Sequence, residues 1–285
     1  MVYCFGNEIL CGKEPRRCVL NETQKNPVKM TANFHTHTAR CRHARGTDRE
    51  YVESAIRAGI SVLGFSDHSP YYFPDGYYSG HRMRPEETEG YVRSLLALRE
   101  EYRDDITIYI GFEAEYYPKY FDKMLEILAP FPYDYLILGQ HYIRNELGGK
   151  HVFSDRNEED LACYVEECIE GMSTGRFFYL AHPDVIRFVG DDAVYEEEMR
   201  RLCLAAKKMN IPLDINLLGI RDGRNYPRKL FWKIAGEVGC EVILGCDAHE
   251  PESIAREDDL TAAEKLVQLY HLKKIEPLAP VMKLR

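Results

Sequence analysis

The chain has no surplus of positive charge, no long apolar run, no Cys-x-x-Cys pair and no Gly-x-Gly-x-x-Gly loop. Lys and Arg number 37 against 46 Asp and Glu, for a net charge of −9, which argues against a broad nucleic-acid or membrane surface and leaves room only for a local basic pocket holding a small anion. No stretch approaches the roughly 20 apolar residues of a membrane span. Residues 1–7 lack a basic segment followed by an apolar core, so a cytoplasmic location is expected. The nine cysteines are odd in number and show no metal-finger spacing, so reduced thiols are expected. Cys41 and Cys246 are read as small fillers near a site.

What is present is a regular alternation. Of the 285 residues, 45% are hydrophobic, enough for a large core. Residues 11–29 show no helical or alternating period, so 1–29 is expected to be a loosely held extension and 30–285 a single domain. From Met30 onward short apolar runs recur at 31–34, 61–66, 106–112, 135–138, 177–181, 211–215 and 241–245. Helix-like stretches lie between and after them at 48–58, 85–102, 121–128, 158–172, 195–209, 228–238 and 261–272. Pro85 with Glu86 and Glu87 suits a helix start, and Gly59, Gly171 and Gly239 suit helix ends. Seven strand–helix units imply an α/β fold with a parallel sheet. The missing phosphate loop favours a barrel over an open nucleotide-binding sheet.

In such barrels chemistry gathers where strands end. The first run ends in His35-Thr36-His37, whose two imidazoles project to one side of an extended chain, with His43 just beyond. The later runs end in Asp67-His68, Glu113-Ala114-Glu115, Gln140-His141, His182-Pro183-Asp184, Asn216-Leu217-Leu218-Gly219 and Asp247-Ala248-His249. Six of these seven ends carry a side chain able to bind metal, a concentration that single buried histidines or strand-capping carboxylates do not explain. Mixed imidazole and carboxylate donors suit Zn, Fe or Mn.

This constellation resembles the PHP (polymerase and histidinol phosphatase) superfamily, through His35-x-His37, His43, Asp67-His68, Glu113, His141, His182-Pro183 and Asp247-x-His249. The wording around these residues, including Gly64-Phe65-Ser66-Asp67-His68-Ser69-Pro70, Arg82-Met83 and Asn216-x-x-Gly219, is similar to its histidinol-phosphatase branch. The resemblance runs from about Asn33 to Glu250. It implies a distorted (β/α)7 barrel binding three divalent metals (Zn, Fe or Mn). His35, His37, Glu113 and Asp247 would hold the first metal. Glu113 would bridge to a second completed by His141 and His182, and His43, His68 and His249 would hold the third.

The implied activity is hydrolysis of a phosphate monoester, L-histidinol phosphate foremost, with metal-activated hydroxide attacking phosphorus. Glu113, Asp247 and His249 stand as catalytic candidates. Another small phosphate ester, phosphotyrosine, or a non-catalytic metal-binding or regulatory role are the alternatives. Arg187, Arg221 and Arg82 are candidates for the substrate's phosphate, since a guanidinium fork fits that anion. Asp67 is expected to orient the metal shell, and Glu115 and Asp184 could either orient or bind. His81, His151 and His271 read as ordinary surface histidines. The Tyr-, Gly- and Pro-rich stretch 69–84 is expected to lie over the barrel mouth. The expected partner is a small-molecule phosphate ester, with neither nucleic acid nor membrane and with the oligomeric state open.

Overall fold

The structure, a computed structural model, describes residues 28–280; the expected extension over 1–29 therefore lies almost entirely outside the described residues. Four parallel strands form one wall in the order β1 (Ala32–Asn33), β2 (Val62–His68), β3 (Thr107–Ala114) and β4 (Tyr135–Leu138). Helices α1 (Asp48–Arg57), α2 (Thr88–Glu101) and α3 (Phe121–Leu128) connect them. A small antiparallel hairpin follows, β5 (Tyr142–Ile143) with β6 (Lys150–His151), then α4 (Glu158–Ser173) and α5 (Asp192–Met209). The second wall is parallel β7 (Leu213–Asn216), β8 (Glu241–Gly245) and β9 (Lys273–Lys274). Helices α6 (Leu217–Arg221) and α7 (Lys229–Val238) join β7 to β8, and α8 (Glu257–Leu269) joins β8 to β9.

Isolated bridges close the two walls into a distorted barrel. Leu180 bridges Leu138 on one side and Leu213 on the other, and Thr36 bridges Ala248. The expected fifth strand at 177–181 is thus a bridging segment. Its backbone still bonds both neighbours, with Ala181 N–H donating to Leu138 O at 2.8 Å and Asp214 N–H to Leu180 O at 3.0 Å.

Strand alternation sorts the core into two. Val62, Tyr135, Ile137 and Ile243 join Phe34, Phe178 and Tyr179 in one cluster, while the intervening Leu63, Phe65, Leu136, Leu138, Val242 and Leu244 pack in the larger cluster with the helices. This is the period of two expected of strands buried on both faces. Tyr135 fills the first cluster, its hydroxyl 2.9 Å from the carbonyls of Phe34 and Phe65. Only glycine fits beside it: a Cβ on Gly64 would lie 2.4 Å from that hydroxyl and one on Gly111 2.6 Å from the ring.

Local sequence explains the helix ends. Thr47 and Glu50 form a capping box at α1, and Asn157 accepts from Asp160 N–H at α4. Gly59 and Gly239 take positive φ just past α1 and α7 as expected. Gly171 does not: it lies inside α4, where a side chain would meet Leu138 and Tyr116. Helix α8 begins four residues before the expected Thr261, with Glu257, Asp258 and Asp259 in its first turn favoured by the helix dipole. The six described cysteines are all free. Among the described residues no helix is long and apolar enough to cross a membrane.

Candidate metal centre

The strand ends converge on Glu113, near the end of β3 and 1% exposed. Its Oε1 lies 2.8 Å from His182 Nε2, 3.5 Å from His141 Nε2 and 3.6 Å from His35 Nε2. Its Oε2 lies 3.1 Å from His68 Nδ1 and 3.4 Å from His37 Nε2. Five imidazoles from four strand ends therefore share one carboxylate. Asp247 stands beside it, with Oδ1 3.1 Å from His37 Nε2, 3.5 Å from His35 Nε2 and 3.4 Å from His249 Nδ1. The His43 ring stacks on His249 at 4.7 Å and lies 5.3 Å from His68. All nine residues named from the sequence as metal ligands thus meet in one place.

Placing His35 and His37 takes a local irregularity. Phe34 already points into the inner cluster, so strict alternation would send Thr36 inward next. The Asn33 side chain instead accepts from His35 N–H at 3.2 Å and donates to Thr36 Oγ1 at 2.7 Å, and β1 ends there. Two other candidates sit on strained backbone, His182 at φ 29° and Asp247 at φ 46°. Non-glycine residues rarely hold such angles, and functional sites are where they persist.

The outer ring nitrogens are backed by oxygens. His35 Nδ1 faces Asp214 at 3.3 Å, His37 Nδ1 faces Asp67 at 3.5 Å and His141 Nδ1 faces Glu115 at 3.0 Å. His43 Nδ1 and His249 Nδ1 face the carbonyls of Cys41 and Asp247 at 2.8 and 3.1 Å. A metal-ligating histidine is normally held this way, with its second nitrogen left for the ion. Buried His35 Nε2, His37 Nε2, His249 Nε2, His182 Nδ1 and Glu113 Oε2 have no hydrogen-bond partner among the described residues. Donor atoms close enough to share an ion occur in the groups His35–His37–Glu113, His35–His182–Asp247, His68–Glu113–His141 and His43–His68–His249. A further group brings buried Cys41 to His37 and His249. The donor set fits divalent cations.

Charge makes the same case. Asp67, Glu113, Glu115, Asp214 and Asp247 are all buried here, and Arg82 is the one buried arginine among them. Burial alone would lower the His35 imidazole, yet Asp247 and Glu113 outweigh it and raise it to about 10. Burial drives His68 and His249 well below the ordinary histidine value. Carboxylates this dry need cations close by.

The centre opens into a cavity of about 550 Å³. Arg221 lines it, its Nη1 buried with no hydrogen-bond partner among the described residues and 3.9 Å from Asp259. Arg187 does not line it: its side chain is 58% exposed and pairs with Asp155 at 2.9 Å. Arg82 borders the cavity but is committed to Glu115 and Glu146, so it is not a free phosphate donor. Asp184 is turned away, accepting from the Arg228 N–H at the start of α7.

Several wall residues escaped sequence reasoning. His81 and His151, expected on the ordinary surface, line the cavity with Tyr142, Phe153, Tyr226, Arg45 and Arg224; exposed His271 does not. Asp214 was also missed, although its spacing from Asn216 is the alternation that puts both on one face; Asn216 Nδ2 donates to Asp247 at 3.0 Å. The loop 69–84 brings His81 and Arg82 to the cavity while packing Tyr71 and Phe73 against Tyr117 and Tyr120.

Two measurable consequences follow from this packing. A Cβ on Gly139 would lie 1.9 Å from Glu113 Oε1. Gly139→Ala therefore displaces the shared carboxylate, and a loss of activity on the order of a hundredfold is expected with the far-UV spectrum unchanged; wild-type turnover would refute the crowding argument. Behind the site, burial raises the Glu167 carboxyl from 4.5 to about 7, opposed by bonds from Arg144 N–H and Gln140. An acid whose folded pKa exceeds its unfolded value stabilises the fold below the unfolded value and loses that contribution as pH rises through the folded one. Stability should fall by on the order of 3 kcal/mol between those two values. Urea denaturation should show Glu167→Gln flattening that slope, and an unchanged slope would exclude Glu167 as its source.

Residues 33–217 match the PHP domain model. A Deinococcus radiodurans protein named "Probable histidinol-phosphatase" is 30% identical over 77% of this chain and 86% of its own length. The histidinol-phosphatase of Bacillus subtilis is 29% identical over 76% of this chain and 92% of its own. Among solved structures, histidinol phosphate phosphatase from Lactococcus lactis superposes with a TM-score of 0.67 at 20% identity, covering 86% of this chain and 95% of that one. The chain belongs to the PHP domain family.

Proposed function

We propose that this chain is a metal-dependent phosphomonoesterase, and specifically a histidinol-phosphatase that converts L-histidinol phosphate and water to L-histidinol and phosphate in histidine biosynthesis. A cytoplasmic location and a small-molecule phosphate ester as partner belong to the same reading. The observation that carries it is Glu113 within reach of five imidazoles at the floor of a 550 Å³ cavity. The curated relatives' names and the Lactococcus lactis structure complexed with Zn, L-histidinol and phosphate support the substrate.

Three divalent cations, Zn, Fe or Mn, are assigned to the centre. His35, His37, Glu113 and Asp247 would hold the first, Glu113, His141 and His182 the second, and His43, His68 and His249 the third. When bound, such cations supply a Lewis acid and a lowered water pKa, the chemistry that ester hydrolysis needs at neutral pH. The protein's own part is orientation and charge. Asp214 and Glu115 fix the rings of His35 and His141 from behind, and Asp67 lies 3.5 Å from His37 Nδ1. Arg221 presents to the cavity a guanidinium whose buried Nη1 has no partner among the described residues, free for phosphoryl oxygens. Arg221→Ala should raise KM or lower kcat/KM by on the order of a hundredfold, while Arg187→Ala changes it less than about threefold; the reverse ranking would move the phosphate site.

The deciding experiment offers metal-loaded protein L-histidinol phosphate, phosphotyrosine and simple phosphate monoesters and follows phosphate release. Preference for L-histidinol phosphate is expected. Release from other esters alone would remove the pathway assignment, and no release with metals bound would favour a non-catalytic metal-binding module.

A further inference from the structure

Arg82 is 3% exposed, and its side chain joins three segments of the rim. Nε donates to Glu146 Oε1 at 2.7 Å, Nη1 to the Ser69 carbonyl at 2.8 Å and Nη2 to Glu115 Oε1 at 2.9 Å, with Nη2 also against Glu146. The guanidinium lies over the Tyr71 ring, 5.1 Å from its centroid. The Glu115 oxygen that it holds is the one 3.0 Å from His141 Nδ1. Glu146 belongs to the turn between β5 and β6, the hairpin that carries His151 to the cavity. Phe153, just after β6, stacks on His141 with ring centres 6.1 Å apart and lies tilted against His151 at 4.7 Å.

A planar fork can serve two carboxylates at once, whereas an ammonium is a point charge that cannot reproduce that geometry. Without it, Glu115 and Glu146 would be buried with no guanidinium between them, and a buried charge left without its partner is strongly unfavourable. Glu115 would then be free to turn from His141, and the hairpin would lose its tie to the loop 69–84. Backing residues of this kind typically alter metal affinity 10- to 100-fold.

We propose that Arg82 is a positioning residue for the metal centre, fixing the His141 ring through Glu115 and the β5–β6 hairpin through Glu146. The inference rests on the reading of His141 as a metal ligand and goes beyond it by naming what holds that ligand.

The test uses full-length protein stripped of metal and titrated with Mn²⁺ or Zn²⁺, comparing wild type, R82M, R82K, E115Q and R82M/E115Q. R82M should weaken at least one binding step by about 10- to 100-fold, with R82K recovering only part. The double variant should bind no more weakly than the weaker single one, because both substitutions cut the same chain of contacts. At saturating metal, kcat should recover further in R82M than at limiting metal. A purely structural role would lower the melting temperature and leave metal affinity alone. Unchanged affinity in folded R82M, or additive losses in the double variant, overturns the proposal. Should R82M fail to fold, E115Q and E146Q decide: E115Q carries the loss of affinity and E146Q exposes the hairpin to proteolysis, and wild-type behaviour in both overturns it. A wild-type chain that binds no divalent cation overturns the metal reading as well, whereas normal wild-type binding with normal variants overturns Arg82's role alone.

Discussion

Glu113→Gln is expected to lower phosphate release by on the order of a thousandfold or more while leaving the barrel folded. The substitution keeps the volume and removes one negative charge from the point where His35, His37, His68, His141 and His182 meet. His141, His68, His35 and His182 hold Glu113 well below the usual carboxylate range against the opposing effect of burial, so the site is built around its ionised form. An amide offers one weak acceptor where the carboxylate offers two charged oxygens, and the groups His35–His37–Glu113 and His68–Glu113–His141 each lose their only anion. Metal analysis should therefore show fewer ions per chain alongside the lost turnover. A variant at an exposed acid, Glu197→Gln, should match wild type. Full activity and full metal content in Glu113→Gln would end the proposal of a shared bridging carboxylate.

The sequence made the candidate ligands legible because strand ends are short-range features: an apolar run followed at once by His, Asp or Glu can be seen without knowing any contact. The barrel was legible for the same reason, down to the bridging segment at 177–181, which reads as a strand because both its neighbours still bond it. What escaped depends on partners far along the chain. Arg82 reads from the sequence as a candidate for the substrate's phosphate until Glu115 and Glu146, 33 and 64 residues away, close around it. His81 and His151 follow no strand-end pattern, and only the folding of the loop 69–84 and of the two-residue strands β5 and β6 brings them to the cavity. Arg187 fails in the opposite sense: its nearness to His182 in sequence suggested the cavity, but the chain after His182 turns back to bond Val152 and carries the side chain to Asp155. The flip at Asn33 is intermediate. The residue is visible in the sequence, yet its effect on which side His35 projects needs the hydrogen bonds to be seen.

Stripping the protein of metal should abolish turnover and also cost it stability. Five buried carboxylates, Asp67, Glu113, Glu115, Asp214 and Asp247, surround the site with Arg82 as the one buried guanidinium, so cations bound in the folded state oppose a repulsion that the unfolded chain does not feel. An ion present at a hundred times its dissociation constant adds about 2.7 kcal/mol to the folded state. For a chain of this size that corresponds to a rise of roughly 4–6 °C in melting temperature. Dialysis against a chelator should produce that fall together with the loss of phosphate release. Returning Zn, Mn or Fe one at a time should restore both, and the ion that restores turnover most fully identifies the working metal. Because imidazole must lose its proton to bind, the protein's own affinity for the ion, read by direct titration, should weaken as pH falls. Protein shown by elemental analysis to be metal-free, yet still releasing phosphate at the original rate, would refute the metal-dependent mechanism outright.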